Sequence, residues 1–237
     1  MKKILATISA ALLAVFSVSA QDPMEEQDRL NIGVERPTGI AYDNAAQTLR
    51  NNLVQAFVLN GVAAVDSRFT TVTNVVELSK DVTSSAPVMY ITELEMSIFV
   101  IDLYTGTIFG QTSFTIKGIG DNEGASYMDA IRNVKARNPK LRTLITSAKD
   151  KIFAYFDAES DQIFNRIDAL IASGDYKAAM IEANAIPRSC ADLYNKVSQR
   201  IATIPASAIS GLSIDRNLVD GYFFSGSRDA RINQILN

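Results

Sequence analysis

Two runs of alternating apolar and polar residues, separated by a short turn, constrain the fold of this chain more than any other feature. The even positions of the first run are mostly apolar, and they are Val88, Tyr90, Thr92, Leu94, Met96, Ile98 and Val100. Because successive side chains of a strand point to opposite faces, this alternation predicts a half-buried strand. A second run follows over 108–119, and Gly106 in the turn between them can take a positive φ. The pattern therefore predicts a long β-hairpin.

The segments nearest the N-terminus of the folded part predict a strand followed by a helix. Alternation over 30–34 indicates a strand that ends before Pro37. Apolar residues at helical spacing over 43–59 predict a helix, which Asp43 can cap and which an Asn-Gly pair closes.

The stretch between that helix and the hairpin is harder to interpret. Residues 62–65 are apolar enough to predict a short buried strand. In 68–82 the β-branched residues favour a strand, but Val72, Val75 and Leu78 fit one helical face. We expect a helix or an irregular crossing over 68–82.

Helical spacing dominates the chain after the hairpin. Asp121 or Asn122 can cap one helix, and Pro139 fits the first turn of a second helix that continues to about Phe156. Beyond 157 the strand signals stop, and three amphipathic stretches follow over 163–171, 176–183 and 193–204. The remaining residues are rich in Ser, Gly and Asn with weak periodicity, and they predict a loosely ordered tail.

The predicted fold class is α+β, with a mostly antiparallel sheet whose long β-hairpin is packed by helices, followed by a small all-helical C-terminal region. The expected segments are a signal peptide at 1–20, a disordered leader at 21–28, an α+β domain at 29–157, a helical region at 158–204 and a loosely ordered tail at 205–237.

The first 20 residues predict export. Lys2 and Lys3 precede an apolar stretch, 4–18, and Val18 and Ala20 are spaced as a small-residue cleavage site. The stretch is shorter than the roughly 20 residues of a membrane-spanning helix. No cysteine near the cleavage site could carry a lipid anchor. We therefore expect a periplasmic or secreted chain, after cleavage, with no integral membrane span.

Composition excludes several kinds of chemistry. The chain has no histidine and one cysteine, Cys190, which excludes Ser-His-acid and Cys-His mechanisms and ordinary zinc sites. We expect Cys190 to be a buried small hydrophobe, an intermolecular disulfide or reactive thiol being the alternative. The net charge is −3 and the sequence shows no basic stripe. This argues against nucleic acid as a partner and gives no reason to expect attraction to anionic lipid.

Two candidate sites, each on one predicted element, can be explained by solvation or packing without a functional role. Glu93 and Glu95 share one face of a predicted strand, and paired carboxylates can divide acid and base work in glycoside hydrolysis. A solvated sheet face is the favoured interpretation, since such faces commonly carry such pairs. Tyr176 could be a binding-surface aromatic, although packing across a helix–helix turn is the commoner use.

The turn after the hairpin carries a third candidate. Three glycines precede or open the next helix, at Gly118, Gly120 and Gly124. The spacing misses the dinucleotide-binding pattern by one residue, and Asp121 and Glu123 place negative charge where a phosphate would bind. Asp121, Asn122 and Glu123 do not match an EF-hand loop, and helix capping explains them without an ion. We assign no catalytic, cofactor-binding or metal residue.

The hairpin and its following helix resemble a family of bacterial envelope domains. The matching pattern is a long strand, Asp102-x-x-Thr105-Gly106, a second strand, Gly118-x-Gly120, and a helix with Ala125 and Ala130. It is similar to the domain shared by CsgG-type curli-secretion channels, LpoB activators of peptidoglycan synthases, the FlgT middle domain and the TolB amino-terminal domain, over about 29–157. Residues 158–204 resemble a tetratricopeptide-like helical hairpin through the stretch 170–179.

These features predict an exported, non-enzymatic protein that acts through protein–protein contacts in the assembly or maintenance of a cell-envelope complex. Its expected partners are other envelope proteins, with a homo-oligomer as one alternative, and no cofactor. Two other functions stay open. One is a carboxylate-based glycan-acting hydrolase, and the other is a periplasmic small-ligand binding module with an apolar pocket between sheet and helices.

Overall fold

The computed structural model describes residues 29–84 and 86–237, and their core is a four-stranded sheet covered by helices. The strands are β1 (Gly33–Val34), β2 (Phe69–Val82), β3 (Tyr90–Asp102) and β4 (Ile108–Gly120). The helices are α1 (Asp43–Leu59), α2 (Glu123–Arg132), α3 (Pro139–Ala172), α4 (Tyr176–Asn184), α5 (Ala191–Ile201), α6 (Ala206–Ile209), α7 (Arg216–Phe223) and α8 (Arg228–Leu236). The spatial order is β1-β2-β3-β4, with only the β1–β2 pair parallel. The α+β class is confirmed.

The long hairpin is formed by β3 and β4, as the alternation predicts. Leu94, Met96 and Ile98 are fully buried in the main core, while the odd positions between them are half-exposed on the other face. Gly106 in the connecting turn has a φ of 77°. The alternation succeeds here because one face packs on helices and the other remains partly in contact with solvent.

The expectation of a helix or irregular crossing over 68–82 was wrong, because β2 occupies nearly all of this stretch. Its backbone pairs with β3 from Phe69, opposite Asp102, to Val82, opposite Tyr90. The sheet decides the conformation, since every ladder bond to β3 favours the extended form over a helix of similar apolar spacing. Val75 then faces the main core.

Two details before the hairpin also differ from expectation. Asp43 is the first residue of α1 rather than its cap, which is Tyr42, and no side-chain capping bond forms. Asp43 instead pairs with Arg36. Residues 62–65 are not a buried strand: Ala63 forms a single bridge to Asn31. This stretch is too short to form a ladder, and it turns outward before β2 begins.

The helix α3 runs without interruption from Pro139 to Ala172. Pro139 lies in its first turn, as predicted, and Asn138 accepts a hydrogen bond from the Lys140 amide. The predicted boundary at 157/158 falls inside this helix. Its buried residues, from Leu141 to Ile171, belong to one core cluster that also contains buried residues of the sheet strands. The α+β region and the start of the helical region therefore share a helix and a core.

The stretch 205–237 is helical and packed, and it is not the loosely ordered tail that we expected. A second core cluster forms on the opposite side of the sheet from the main core, and its buried members are Val72, Ile101, Leu103, Tyr104, Ile181, Ala185, Val219, Phe224 and Ile232. Side chains of Asp215 and Ser227 cap α7 and α8. The helices are short, so each contributes few apolar residues, and their periodicity is weak in the sequence.

The predicted signal peptide, 1–20, and leader, 21–28, lie outside the described residues. Within the described part of the chain, no helix combines the length and apolar character needed to cross a membrane.

Candidate binding cleft

A cleft of about 540 Å³ opens where the turn between β3 and β4 meets the helices α4, α5 and α7. Six separate stretches of the chain line it. They contribute Arg29 and Asn31, residues 66–69, Tyr104, residues 183–188, one face of α5 (Tyr194, Val197, Ser198 and Ile201), and residues 214–216 with Val219. Because these stretches span nearly the whole folded chain, the cleft exists only in the assembled structure.

An ion pair between Arg68 and Asp102 lies beside the floor of the cleft. Asp102 is fully buried, and its carboxylate accepts bonds from Arg68 Nε at 3.0 Å and from Arg68 Nη2. The same carboxylate accepts from the Tyr104 amide at 3.0 Å and from the Thr105 hydroxyl at 2.8 Å. Asp102 therefore shapes the turn of the hairpin and neutralises Arg68 at the same time.

Arg68 is surrounded by aromatic rings as well as by its acceptors. Its guanidinium carbon lies 5.1 Å from the ring centroid of Phe69, 4.9 Å from that of Tyr104 and 5.2 Å from that of Phe156. Its Nη1 donates to the Ala185 carbonyl at 2.9 Å. All three guanidinium nitrogens of Arg68 thus interact within the protein, so the Arg68 side chain is held rigidly beside the floor of the cleft.

Arg216 on α7 has one nitrogen without an acceptor. Its Nε lies 3.2 Å from Asp220 Oδ1, and its Nη1 donates to the Asp66 carbonyl at 2.9 Å. Its Nη2 is buried and has no hydrogen-bond partner in the described part of the chain. An unsatisfied buried donor costs about 1–3 kcal/mol. Because Nη2 is not exposed to solvent, an oxygen atom of a bound molecule would remove that cost only together with a shift of the Arg216 side chain.

Two further arginines and several aliphatic side chains complete the walls. Arg29 and Arg188 line the cleft, and the Arg188 guanidinium lies 5.8 Å from the Tyr194 ring centroid. The apolar wall consists of Ile186, Val197, Ile201, Ile214 and Val219. The carboxylates at the cleft are already engaged, since Asp66 pairs with Arg228 at 3.1 Å and Asp215 caps α7. The lining therefore offers cationic donors beside an apolar surface.

Tyr104 joins the cleft to the C-terminal helices. Its hydroxyl donates to Asp220 Oδ1 at 2.9 Å, and its ring stacks on Phe223 with centroids 4.3 Å apart. Burial, together with the neighbouring Asp220 charge, raises the pKa of the Tyr104 hydroxyl. Tyr104 is therefore a fixed, protonated donor at physiological pH.

The structure does not bring Glu93 and Glu95 into this cleft. Both lie on the face of β3 away from the main core, and both are half-exposed. Glu93 pairs with Lys117 on β4 at 3.0 Å. Neither residue lines the cleft.

The glycines at the end of β4, Gly118 and Gly120, allow close packing between the strand and α2. A Cβ on Gly118 would lie 2.1 Å from the Ser126 carbonyl oxygen. Asn122 caps α2 by accepting from the Ala125 amide at 2.8 Å, which settles the choice between Asp121 and Asn122. Across 29–84 and 86–237, no three His, Cys, Asp or Glu residues are grouped as metal ligands.

Tyr176 and Cys190 both belong to the packing of the helical region. Tyr176 is half-buried against the main core, as is Cys190, which stands at the cap position of α5. Burial raises the pKa of the Cys190 thiol from 9.0 to about 12. The thiol is therefore protonated at neutral pH.

The residues that shape the cleft were missed in the sequence. Arg68 and Arg216 occur in no motif, and they stand far apart in the chain. The one signal was Asp102, which the resemblance to envelope domains includes as part of the turn. Its buried carboxylate requires a cation, but the sequence does not indicate which of many arginines supplies it.

No protein-family model matches the sequence, and no curated protein matches it.

Several solved structures are similar to about half of the chain. A Xanthomonas campestris protein of the DUF330 family has 16% identity, covers 52% of this chain and 87% of its own, and gives a TM-score of 0.35. The PelC dodecamer from Paraburkholderia phytofirmans has 12% identity, with 52% and 89% covered and a TM-score of 0.33. A lipoprotein from Neisseria meningitidis has 10% identity, with 53% and 99% covered and a TM-score of 0.31. Scores this low assign no function to the chain.

Proposed function

We propose that this chain is an exported, non-enzymatic envelope protein whose cleft binds a short segment of a partner protein. The segment carries a carboxylate next to an apolar side chain. The observation that carries the proposal is the buried Nη2 of Arg216, which has no acceptor in the described structure although an aliphatic wall lies beside it.

The size and lining of the cleft suit a segment of a few residues. A volume of about 540 Å³ lies within the usual range for binding pockets. The arginine guanidinium matches the planar geometry of a carboxylate, and aromatic residues and arginines are enriched where binding energy concentrates. Arg216 supplies the donor, and Tyr194 supplies an aromatic wall.

The cleft is better suited to recognition than to proton transfer. Asp102 and Asp220, the buried carboxylates near it, are each held by arginines and by a tyrosine or threonine hydroxyl. The chain has no histidine to serve as a base. The family resemblance, both to CsgG-like envelope domains and to a tetratricopeptide-like hairpin, remains part of this proposal. So do the periplasmic or secreted location and the role in assembling or maintaining an envelope complex.

Site-specific photo-crosslinking in the producing cell tests the proposal. A photoreactive phenylalanine replaces Tyr194 in the cleft or, as the control, Gln55 on the exposed face of α1. We expect a discrete crosslinked partner from position 194 and none from position 55. Adding Arg216→Gln should weaken the crosslink severalfold while the melting transition remains cooperative. Identical crosslinks from both positions, or none from position 194, would contradict the proposal.

A small carboxylate ligand is a second candidate for the same cleft, because the volume and the Arg216 Nη2 donor, which has no acceptor among the described residues, suit it equally. A thermal-shift screen of the purified chain against small mono- and dicarboxylates distinguishes the two. A shift that saturates with a small acid, and that Arg216→Gln abolishes, favours the small ligand over a protein segment.

A further inference from the structure

Seven lysines and arginines are concentrated at the end of α2, in the following loop and on the first part of α3. They are Arg132, Lys135, Arg137, Lys140, Arg142, Lys149 and Lys151, and we call them the basic surface. No carboxylate occurs over 133–149. The expectation that no basic stripe exists was wrong, because a net charge of −3 averages this stretch with acidic parts elsewhere.

The positive charges of the basic surface are not neutralised within the described residues. None of the seven forms an ion pair there. Lys140 donates to the Ser113 carbonyl at 3.3 Å and lies 5.6 Å from the Phe114 ring centroid. Lys135, Arg137 and Arg142 are exposed to solvent.

On α3 the cations border a strip of small and hydroxyl side chains that also includes one carboxylate, Asp150. A shallow depression on the outer face of the helix is lined by Arg142, Thr143, Thr146, Ser147, Asp150, Lys151 and Ala154. With 3.6 residues per turn, Lys140 and Lys151 stand on one side of this strip and Arg142 and Lys149 on the other. The distance along the helix from 140 to 151 is about 16 Å. The surface is therefore broad and shallow, and it presents cations and hydroxyls together.

Helix stability does not account for this arrangement. The first turn of α3 contains no acidic residue, and Lys140 and Arg142 add to the positive end of the helix dipole. Cations at that end disfavour the helix, so their placement increases a positive field at some cost to folding. A field of this kind attracts an extended anionic partner.

We propose that the basic surface binds the anionic headgroups of a phospholipid membrane. The predicted signal peptide directs the chain to the envelope, where such a surface is present. A shallow surface that carries cations and hydroxyls matches phosphate-bearing headgroups. Nucleic acid fits less well, since single strands need aromatic platforms and the surface includes no exposed aromatic ring. The cleft lies elsewhere, so this binding does not depend on the function proposed for the cleft.

Binding should be reversible and should depend on ionic strength. Each lysine or arginine near an anionic membrane strengthens partitioning by about fivefold. Charges separated by more than about 10 Å are screened at 0.1 M salt, so raising the salt should release the chain.

Vesicle sedimentation tests the proposal with the chain from residue 21 onward. The vesicles contain phosphatidylcholine alone or phosphatidylcholine with about one third phosphatidylglycerol, a composition chosen to give the surface potential that basic residues require. We expect binding only to the anionic vesicles, with release at high salt. Replacing Lys135, Arg137 and Arg142 with Gln should weaken binding at least thirtyfold. The product of three independent contributions of about fivefold each is larger, so thirtyfold is a lower bound.

The matched control replaces Lys80, Lys177 and Lys196, which lie outside the basic surface, with Gln. The control has the same net charge as the test variant, and we expect it to lose less than threefold in binding. Equal losses in both variants, or no binding to anionic vesicles, would overturn the proposal. Tighter binding to a duplex oligonucleotide than to vesicles at equal phosphate concentration would also overturn it. Displacement by millimolar glycerol phosphate would show a site for a single free phosphate instead.

Discussion

The guanidinium of Arg68 and the carboxylate of Asp102, 34 residues apart in the chain, form a two-point ion pair with Nε 3.0 Å from Oδ1. The pair joins the start of β2 to the end of β3. The side chains are almost completely removed from solvent, at 10% and 0% exposure. The turn that the sequence identifies as D-x-x-T-G is therefore held in place by a residue outside the motif.

Replacing Asp102 with Asn should strongly destabilise the fold. The substitution keeps the shape of the side chain but leaves the Arg68 charge buried without a counterion, which typically costs about 3–5 kcal/mol. Urea unfolding measures the free energy of unfolding. The control is Glu93→Gln, which removes a partly exposed ion pair with Lys117 and should cost less than about 1 kcal/mol. Equal effects of the two changes would show that the buried pair is unimportant.

Replacing Phe224 with Ala should destabilise the chain by about 3–5 kcal/mol, because the ring is buried in the second core cluster near Tyr104. Leu212→Ala is the control, since Leu212 is an exposed residue of the same C-terminal stretch. Urea unfolding and binding of a hydrophobic dye distinguish the two. If the C-terminal stretch were loosely ordered, neither change would alter the unfolding transition.

Replacing Gly118 with Ala should cost about 2 kcal/mol or more, because the new methyl group would overlap the backbone of α2 at Ser126 and Ala130. In contrast, a Cβ on Gly221 meets nothing within 4 Å on α7, so Gly221→Ala should be neutral or stabilise the helix by up to about 1 kcal/mol. Thermal unfolding of both variants tests the comparison. A stable Gly118→Ala protein would contradict the close contact between β4 and α2.

The Cys190 thiol should be nearly unreactive in the folded chain. With its pKa raised from 9.0 to about 12, the thiolate fraction at pH 8 is lower than in the unfolded chain by about a thousandfold. Alkylation by iodoacetamide, followed by mass spectrometry, compares the native chain with the chain in urea. Similar rates in both states would show that the thiol is accessible and normally ionised.

The same thiol makes stability depend on alkaline pH. Its folded pKa is higher than its unfolded pKa, so the folded state retains the proton longer than the unfolded state does. The contribution of the protonated thiol to the free energy of unfolding is complete below pH 9, and it is lost as the pH rises toward about 12. Cys190→Ala should flatten this part of the curve of unfolding free energy against pH. An unchanged slope would contradict the prediction.

The sequence predicted those elements whose pattern is set by local burial. The β3–β4 hairpin, the positive φ of Gly106 and the start of α3 at Pro139 all follow from alternation, turn chemistry and proline geometry. The errors lie where partners distant in the chain decide the structure. Strand β2 looked partly helical until its pairing with β3 was known, and the helices after 205 had too few apolar residues each to stand out.

The features of the candidate sites also divide into those that the sequence determines and those that depend on the tertiary structure. The sequence by itself determined that no histidine-based chemistry is present, that one thiol is available, and that a long hairpin forms. The tertiary structure alone decided that Arg68 faces Asp102, and that Arg216 Nη2 has no acceptor among residues 29–84 and 86–237. The periodicity of apolar residues indicates which face of an element is buried. The pairing of one buried charge with another depends on contacts between residues far apart in the chain, and no local sequence pattern contains that information.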